Sequence, residues 1–128
     1  MTSILLVDDS KAARMMLQHW LKALRPDFRI VEAADGDSAL ALMEKESPDR
    51  GDWLALIDYN MEGMHGTELA ERLFSYIPPN CMALCTANIQ KAVQERAEKL
   101  GIHYLKKPLN PKKIAGLLAQ MEPHLASS

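Results

Sequence analysis

The sequence has only two cysteines and no long apolar run, and each absence excludes a class of protein. Cys81 and Cys85 lie four positions apart in one apolar segment, where a disulfide between them would distort a strand. Reduced thiols in a cytoplasmic protein are the better interpretation. The apolar runs fall short of the roughly 20 residues that a membrane-spanning helix needs, and no charged and then apolar signal is recognisable. We therefore expect a cytoplasmic protein that does not enter a membrane.

A large excess of one charge is also missing, because the net charge of the 128 residues is −2. This near balance argues against a protein that binds nucleic acid by bulk electrostatics. The charge is unevenly distributed: residues 1–87 hold 8 basic and 14 acidic side chains, whereas residues 88–128 hold 7 and 3. Solvated helix faces explain this pattern, and so does a basic partner-binding face opposite an acidic pocket.

The sequence does contain a regular alternation of short apolar runs and amphipathic segments. Five apolar runs predict strands, at residues 3–7, 28–33, 53–57, 81–85 and 102–106. Between them apolar residues recur at helical spacing, as at Ala13, Met16, Leu17, Trp20, Leu21 and Leu24. Capping residues and breakers mark the helix ends: Asp9 or Ser10, Asp35, Asn88 and Asn110 at the starts, and Pro26, Pro48, Pro78 and Gly101 past the ends, with the third helix near residues 67–76.

The predicted strands are almost continuously apolar, which indicates a sheet that is covered on both faces. Five βα units joined by right-handed crossovers form an open, doubly wound parallel sheet between two layers of helices. No repeat, linker or low-complexity stretch interrupts the chain. We therefore predict one α/β domain over residues 1–128, with its core at residues 3–121 and a tail at 122–128.

Polar side chains stand at the ends of four predicted strands. Asp8 and Asp9 follow the first strand, Asp58 the third, Thr86 the fourth and Lys107 the fifth. In parallel sheets the ligand crevice lies at the carboxyl ends of the strands, so these groups converge if their strands are neighbours.

Three convergent carboxylates need a compensating charge. Two carboxylates about 4 Å apart repel by on the order of 4 kcal/mol at an effective dielectric near 20. Either some of them stay protonated or a cation lies among them. Oxygen ligands without neighbouring histidine or cysteine favour Mg²⁺, and Mg²⁺ beside a lysine and a hydroxyl suits phosphoryl oxygens.

The segments LVDDS, LIDYNMEGMHG, CTA and YLKKP occupy these strand ends. Together they resemble the receiver domain of two-component response regulators, the CheY-like family, over roughly residues 3 to 121. The resemblance implies the flavodoxin-like strand order 2-1-3-4-5, for which a receiver is a standard example. It also implies a signalling domain that catalyses only its own phosphorylation and dephosphorylation and is not an enzyme for other substrates.

The resemblance further implies the role of each site residue. Asp58 would be the phosphoacceptor, taking a phosphoryl group from a phosphohistidine on a sensor histidine kinase or a phosphotransfer protein. Mg²⁺ would be held by Asp8, Asp9, Asp58 and the backbone carbonyl of Asn60. Lys107 would pair with the phosphoryl group.

By the same resemblance, Thr86 and Tyr104 would form a switch. The Thr86 hydroxyl would move toward the phosphoryl group, and Tyr104 would turn inward, which remodels the face of the fourth helix, fifth strand and fifth helix. That face would bind a downstream protein or an output domain, or pair two phosphorylated copies, without direct contact to nucleic acid or membrane. The alternatives are helix caps for Asp8 and Asp9, a cap hydroxyl for Thr86, and a packing role for Tyr104.

The chain departs from the family pattern at Glu62, where receivers usually carry proline. Asn60 and Asn88 occupy the two positions at which family members tune dephosphorylation; both are small and polar, so we expect a phosphoryl lifetime of minutes or less. Receivers commonly hold the lysine–proline peptide in the cis form, which predicts a cis bond between Lys107 and Pro108. Lys106 would then face away from the crevice.

Two other functions remain open alongside the phosphorylated switch. A Mg²⁺-dependent phosphohydrolase would use Asp58 too, but DYN lacks the second acid of the Asp-x-Asp motif of haloacid dehalogenase-type phosphatases. A receiver-fold interaction module without phosphorylation would usually have lost an acid, the threonine or the lysine. The four histidines show no metal-ligand spacing, and we expect the eight methionines to fill the core.

Overall fold

The computed structural model of the protein describes residues 2–46, 52–87 and 90–125, in which five strands and five helices alternate. The strands are β1 (Thr2–Val7), β2 (Arg29–Ala33), β3 (Asp52–Asp58), β4 (Met82–Thr86) and β5 (His103–Lys106). The helices are α1 (Lys11–Leu24), α2 (Gly36–Glu46), α3 (Gly66–Leu73), α4 (Lys91–Leu100) and α5 (Pro111–Met121), with 3-10 turns at Pro79–Cys81 and Glu122–His124.

The strands form one parallel sheet in the order β2-β1-β3-β4-β5, which confirms the predicted fold class and strand order. Val7 at the end of β1 lies opposite Ile57, one residue before the end of β3. Asp58 lies opposite Cys85 on β4, and Thr86 lies opposite Lys106 on β5. The carboxyl ends of four adjacent strands therefore meet at one edge of the sheet.

The central strands are buried on both faces, as their continuous apolar runs predict. α1 packs against α5, whereas α2 packs against α3 and α3 against α4, which divides the helices between two layers. Ile4, Leu5 and Leu54 have no exposed surface, and each such side chain contributes about 1.5–3 kcal/mol to folding. A rigid, apolar sheet thus supports the polar edge.

Three of the predicted helix caps are confirmed; at the start of α2 the Asp35 carboxylate accepts a hydrogen bond from the Ser38 N–H at 2.7 Å. The Ser10 hydroxyl accepts a hydrogen bond from the Ala13 N–H at 3.2 Å, and the Asn110 side chain accepts one from the Lys113 N–H at 2.8 Å. Gly101 ends α4 with a φ of 80°, in the left-handed region that favours glycine.

Other predicted boundaries move by a few residues. Asn88, the predicted cap of α4, lies outside the described residues; the helix begins at Lys91, with Gln90 as its N-cap. Cys81, predicted in the fourth strand, belongs to the 3-10 turn before β4. α3 ends at Leu73, three residues earlier than predicted, because the chain turns there ahead of Pro78.

Two methionines contradict the expectation that methionines fill the core. Met15 and Met16 on α1 are 59% and 52% exposed, and Met16 was also predicted on the inward stripe. Leu17 and Leu21 take the buried positions instead, because the inward face of α1 is narrower than its apolar pattern. Met43, Met61, Met82 and Met121 are buried as expected.

Both cysteines are free thiols and both are buried, so the prediction of reduced side chains is confirmed. Within the described ranges, no helix combines the length and apolarity that would let it cross a bilayer.

A two-fold hydrogen-bonded ion pair joins the end of α1 to the turn after α5. Arg25 Nε and Nη2 donate to the two carboxylate oxygens of Glu122 at 2.8 and 2.7 Å. These bonds hold the pKa of Glu122 below its usual range, and burial only partly opposes them. The pair therefore stabilises the fold while Glu122 is ionised.

We expect Glu122→Gln to lower the free energy of unfolding by about 0.5–1 kcal/mol at pH 7, because a partly exposed ion pair is lost. A depressed pKa in the folded state gives stability that is present above the usual pKa and is lost as pH falls through the folded value. The deficit should therefore shrink between about pH 5 and pH 3. Urea unfolding at about pH 5 and about pH 3 measures the loss of stability, with the exposed Glu98→Gln as control. An equal loss at these two pH values would contradict an ionic origin.

Candidate functional site

Three carboxylates lie together at the carboxyl edge of the sheet. One oxygen each of Asp8, Asp9 and Asp58 lies within 4.8 Å of the other two. Asp8 is 3% and Asp58 6% exposed, while Asp9 is open to solvent. The structure thus brings together the three acids that the sequence predicts, with two of them held away from water.

The Lys107 ammonium lies between two of these carboxylates. Its Nζ is 3.2 Å from Asp8 Oδ2 and 3.3 Å from Asp58 Oδ1. One ammonium against three carboxylates leaves the cluster with two uncompensated negative charges, which matches one divalent cation. Lys106 points to solvent instead, and the Lys107–Pro108 bond is cis, so both predictions about this pair are confirmed.

Burial and charge shift the ionisation of the site in opposite directions. Burial raises the pKa of Asp58, and the attraction of Lys107 only partly opposes this. Burial alone would lower the pKa of Lys107, but the attraction of Asp58 and Asp8 outweighs it and raises that pKa. Burial also raises the pKa of Cys85, beneath the site, to about 12, so its thiol stays protonated and inert.

Backbone groups hold the carboxylates in place. The Ser10 N–H donates to Asp8 Oδ1 at 2.9 Å, and the Asn60 N–H approaches Asp58 Oδ1 at 3.4 Å. Gly66 makes this packing attainable, because a Cβ there would lie 2.9 Å from the Asp58 carbonyl oxygen. The start of α3 therefore packs closely against the backbone of Asp58, the predicted phosphoacceptor.

The predicted switch residues lie on the two strands beside the acids. Thr86 ends β4 and is buried, and Tyr104 is a half-buried residue of β5 that packs against the core. Their positions agree with the predicted pattern, and their movement stays a prediction. Asn88 lies outside the described residues, so only Asn60 of the predicted lifetime pair is described, and it is exposed.

Glu62 lies beside the site and does not point into the core. It lines a recess of about 430 Å³ with Asp9, Asp35 and Asp37, next to the three-carboxylate cluster. The substitution of the usual proline thus adds negative charge at the open side of the site.

An arginine that no sequence motif indicates supports the acidic loop. Arg14 Nη1 donates to the Asp8 carbonyl oxygen, and its Nε donates to Glu32 Oε1 at 3.2 Å. The end of β2 is the one strand end without a predicted site residue, yet Glu32 there anchors the guanidinium that holds the loop after β1. No spacing rule links these two residues; only their opposite charges hinted at the pair.

An apolar cavity opens next to the charged cluster. It has a volume of about 290 Å³ and extends from Asp8 and Lys107 between α1 and the loop before α5. Its other walls are apolar: Ala12, Ala13, Met16, Leu17, Trp20 and Leu109.

Comparison with known proteins agrees with this geometry. The family model of the response regulator receiver domain matches residues 4–119. The chain belongs to the response regulator receiver domain family. This receiver is thus a signalling domain by family, with a site at the edge where its fold places ligands.

Two curated relatives of this receiver are longer proteins. It is 32% identical over 116 residues to the cyclic di-GMP phosphodiesterase response regulator RpfG of Xanthomonas campestris, covering 88% of this chain and 29% of that protein. It is 31% identical over 118 residues to the positive alginate biosynthesis regulatory protein of Pseudomonas aeruginosa, covering 91% and 45%. The chain therefore spans less than half the length of these curated relatives.

A solved structure supports the same assignment. The signal receiver domain of an HD domain-containing protein from Pseudomonas fluorescens Pf-5 superposes with a TM-score of 0.83 at 26% identity, covering 99% of this chain and 98% of that one.

The donor set of this receiver fits Mg²⁺. All three clustered groups are carboxylates, and the cluster carries two charges more than Lys107 compensates. A small, hard dication prefers such oxygen ligands and keeps several waters, for which the exposed Asp9 side leaves room.

We expect Asp58→Asn to raise the free energy of unfolding by about 1 kcal/mol in EDTA, because it removes one of three mutually repelling charges without changing shape. Saturating Mg²⁺ should reduce the difference, since the wild type then gains more from the ion. Urea unfolding with and without Mg²⁺ measures both values. The exposed Asp27→Asn is the matched control, and a destabilised Asp58→Asn in EDTA would refute the repulsion.

Proposed function

We propose that this receiver accepts a phosphoryl group on Asp58 with the help of Mg²⁺ and passes the signal on through the face of α4, β5 and α5. The observation that carries the proposal is the position of the Lys107 ammonium within 3.3 Å of both Asp8 and Asp58. A carboxylate nucleophile, an amine and two further carboxylates thereby surround one point at the sheet edge.

In the proposed reaction, one carboxylate oxygen of Asp58 forms a bond to phosphorus. The bond between phosphorus and the imidazole nitrogen of the donor breaks, and the nitrogen keeps the electron pair. Lys107 would exchange its contact with Asp58 for the new phosphoryl oxygens, and Asp8 and Asp9 would hold the ion with the Asn60 carbonyl. Bound Mg²⁺ would neutralise part of the negative charge on the transferred oxygens.

The surface beside the site supports a protein as the phosphoryl donor. Met15 and Met16 are the large hydrophobic side chains exposed among the described residues, and Met16 lines the apolar cavity next to Lys107. A donor histidine must come within bonding distance of Asp58, so a histidine kinase or phosphotransfer protein would cover this part of α1. Buried free thiols are compatible with the cytoplasm, where such partners are found.

The output side of the proposal rests on Thr86 and Tyr104. Thr86 would turn its hydroxyl toward the phosphoryl group and release space that Tyr104 fills, which changes the α4–β5–α5 face. This face would bind a downstream protein or an output domain, or a second phosphorylated copy. Sedimentation with and without beryllofluoride separates these: a doubled mass indicates self-pairing, and an unchanged mass indicates a different partner.

We expect acetyl phosphate with Mg²⁺ to add one phosphoryl group to the wild-type protein and none to Asp58→Asn, because both oxygens of the neighbouring Asp8 are already bound, to the Ser10 N–H and to the Lys107 ammonium. Lys107→Met should slow the reaction by about 10²-fold, since one charged donor to the transferred oxygens is lost. Intact-protein mass spectrometry over time measures both effects.

The exposed Asp27→Asn serves as the control and should react like the wild type. Continuous release of phosphate without accumulation of the phosphoprotein would favour the phosphohydrolase, and no modification at all would favour the interaction module. In the expected case, the label decays within minutes after removal of acetyl phosphate.

A further inference from the structure

Lys113 makes an unusual set of contacts in the first turn of α5. Its ammonium donates to the carbonyl oxygen of Lys106 at 3.0 Å and to that of Pro108 at 2.9 Å. These two carbonyls stand on either side of Lys107 in the chain. Hydrogen bonds from a charged donor are about twice as strong as neutral ones. The Lys113 ammonium therefore restrains the backbone of residues 106–108.

The backbone from which Lys107 projects is therefore held from two directions. The peptide group between Lys106 and Lys107 donates its N–H to the Thr86 carbonyl at 2.8 Å and offers its C=O to Lys113. The first bond ties the loop to the end of β4, and the second ties it to α5. Both groups of this peptide are thus satisfied, and its plane is fixed.

Lys113 is itself anchored at its own backbone. Its N–H donates to the Asn110 side chain at 2.8 Å, which is the N-cap contact of α5. A cation in the first turn of a helix is disfavoured by the helix dipole, and carbonyl bonds offset that cost. The ammonium thus reaches back from a capped helix start to the loop that carries the site lysine.

We propose that Lys113 is a positioning residue for Lys107, holding the loop of residues 106–108 so that the Lys107 ammonium stays between Asp8 and Asp58. The inference rests on the proposed function and deepens it. Lys113 touches no reacting atom, and it acts only through the backbone of this loop. Asp8 and Asp9 lie in the loop after β1 and Asp58 ends β3, so Lys113 acts on the hold on phosphoryl oxygens through Lys107 and does not itself contact the proposed metal ligands.

The physical need for such support lies in the lysine itself. Lys107 carries its charge on a flexible four-carbon stem, and electrostatic stabilisation of transferred oxygens depends on placement within a fraction of an ångström. Loosening the loop would spread the ammonium over several positions. The binding of a phosphoryl mimic would weaken, while that of the bare dication would not.

The test compares Lys113→Met with Lys112→Met, its exposed neighbour in the same turn. Two affinities are measured by amide shifts in NMR titrations: Mg²⁺ alone, and beryllofluoride at saturating Mg²⁺. We expect Lys113→Met to bind beryllofluoride about 3- to 10-fold more weakly, the size of one or two lost hydrogen bonds, with the Mg²⁺ affinity within about twofold of wild type. Lys112→Met should match the wild type in both.

Chemical rescue separates positioning from damage to the helix. Lys113→Cys alkylated with bromoethylamine regains an ammonium at nearly the same reach, and its beryllofluoride affinity should return to within about twofold of wild type. The modification is selective, because burial raises the pKa of Cys81 and Cys85 and keeps their thiols unreactive.

Two results would overturn the role of Lys113: unchanged beryllofluoride affinity in Lys113→Met, or an equal loss of Mg²⁺ and beryllofluoride affinity together with a lower melting temperature. Failure of the proposed function looks different. In that case the wild type itself does not bind beryllofluoride, or Lys107→Met binds it as tightly as the wild type does.

Discussion

Electrostatic repulsion among three carboxylates at one sheet edge is the constraint on which the rest of the site depends. Asp8 and Asp58 are almost fully buried, where water screens their charges least, and Asp9 stands beside them. The Lys107 ammonium, which lies between the buried pair, offsets part of this repulsion. In the proposed function, the remaining excess of negative charge would favour the binding of a dication and then of a phosphoryl group.

The fold produces this crowding through its topology. β1 and β3 are neighbours in the middle of the sheet, so the residues after them meet although about 50 positions separate them in the chain. β4 and β5 continue the same edge and add a hydroxyl and an amine. A parallel sheet has all its carboxyl ends at one side, so four short loops are enough to assemble the site on a rigid support.

The fold class and the convergence of charged side chains at one sheet edge were predictable, because both depend on local patterns. Apolar runs of five or six residues, four of which are followed by a polar side chain, indicate strands and place their ends. The contacts of Arg14 and Lys113 were not predictable, because both bind backbone carbonyls across loops, and such contacts have no periodic spacing. Met16 was misplaced for a related reason: helical spacing identifies an apolar stripe but not how much of it a neighbour covers.

The structure also shows how much of the positive charge in the C-terminal part of the chain is already paired. Arg96 is paired with Glu71 on α3, and Lys113 is bound to loop carbonyls, so neither presents its charge freely to a partner. The Lys107 ammonium is paired with the carboxylates of Asp8 and Asp58. Net charge along the sequence therefore overstates how basic the α4–β5–α5 face is. In the proposed function, recognition of a partner there would depend less on bulk attraction than on the shape that Tyr104 and its neighbours take, which phosphorylation of Asp58 would change.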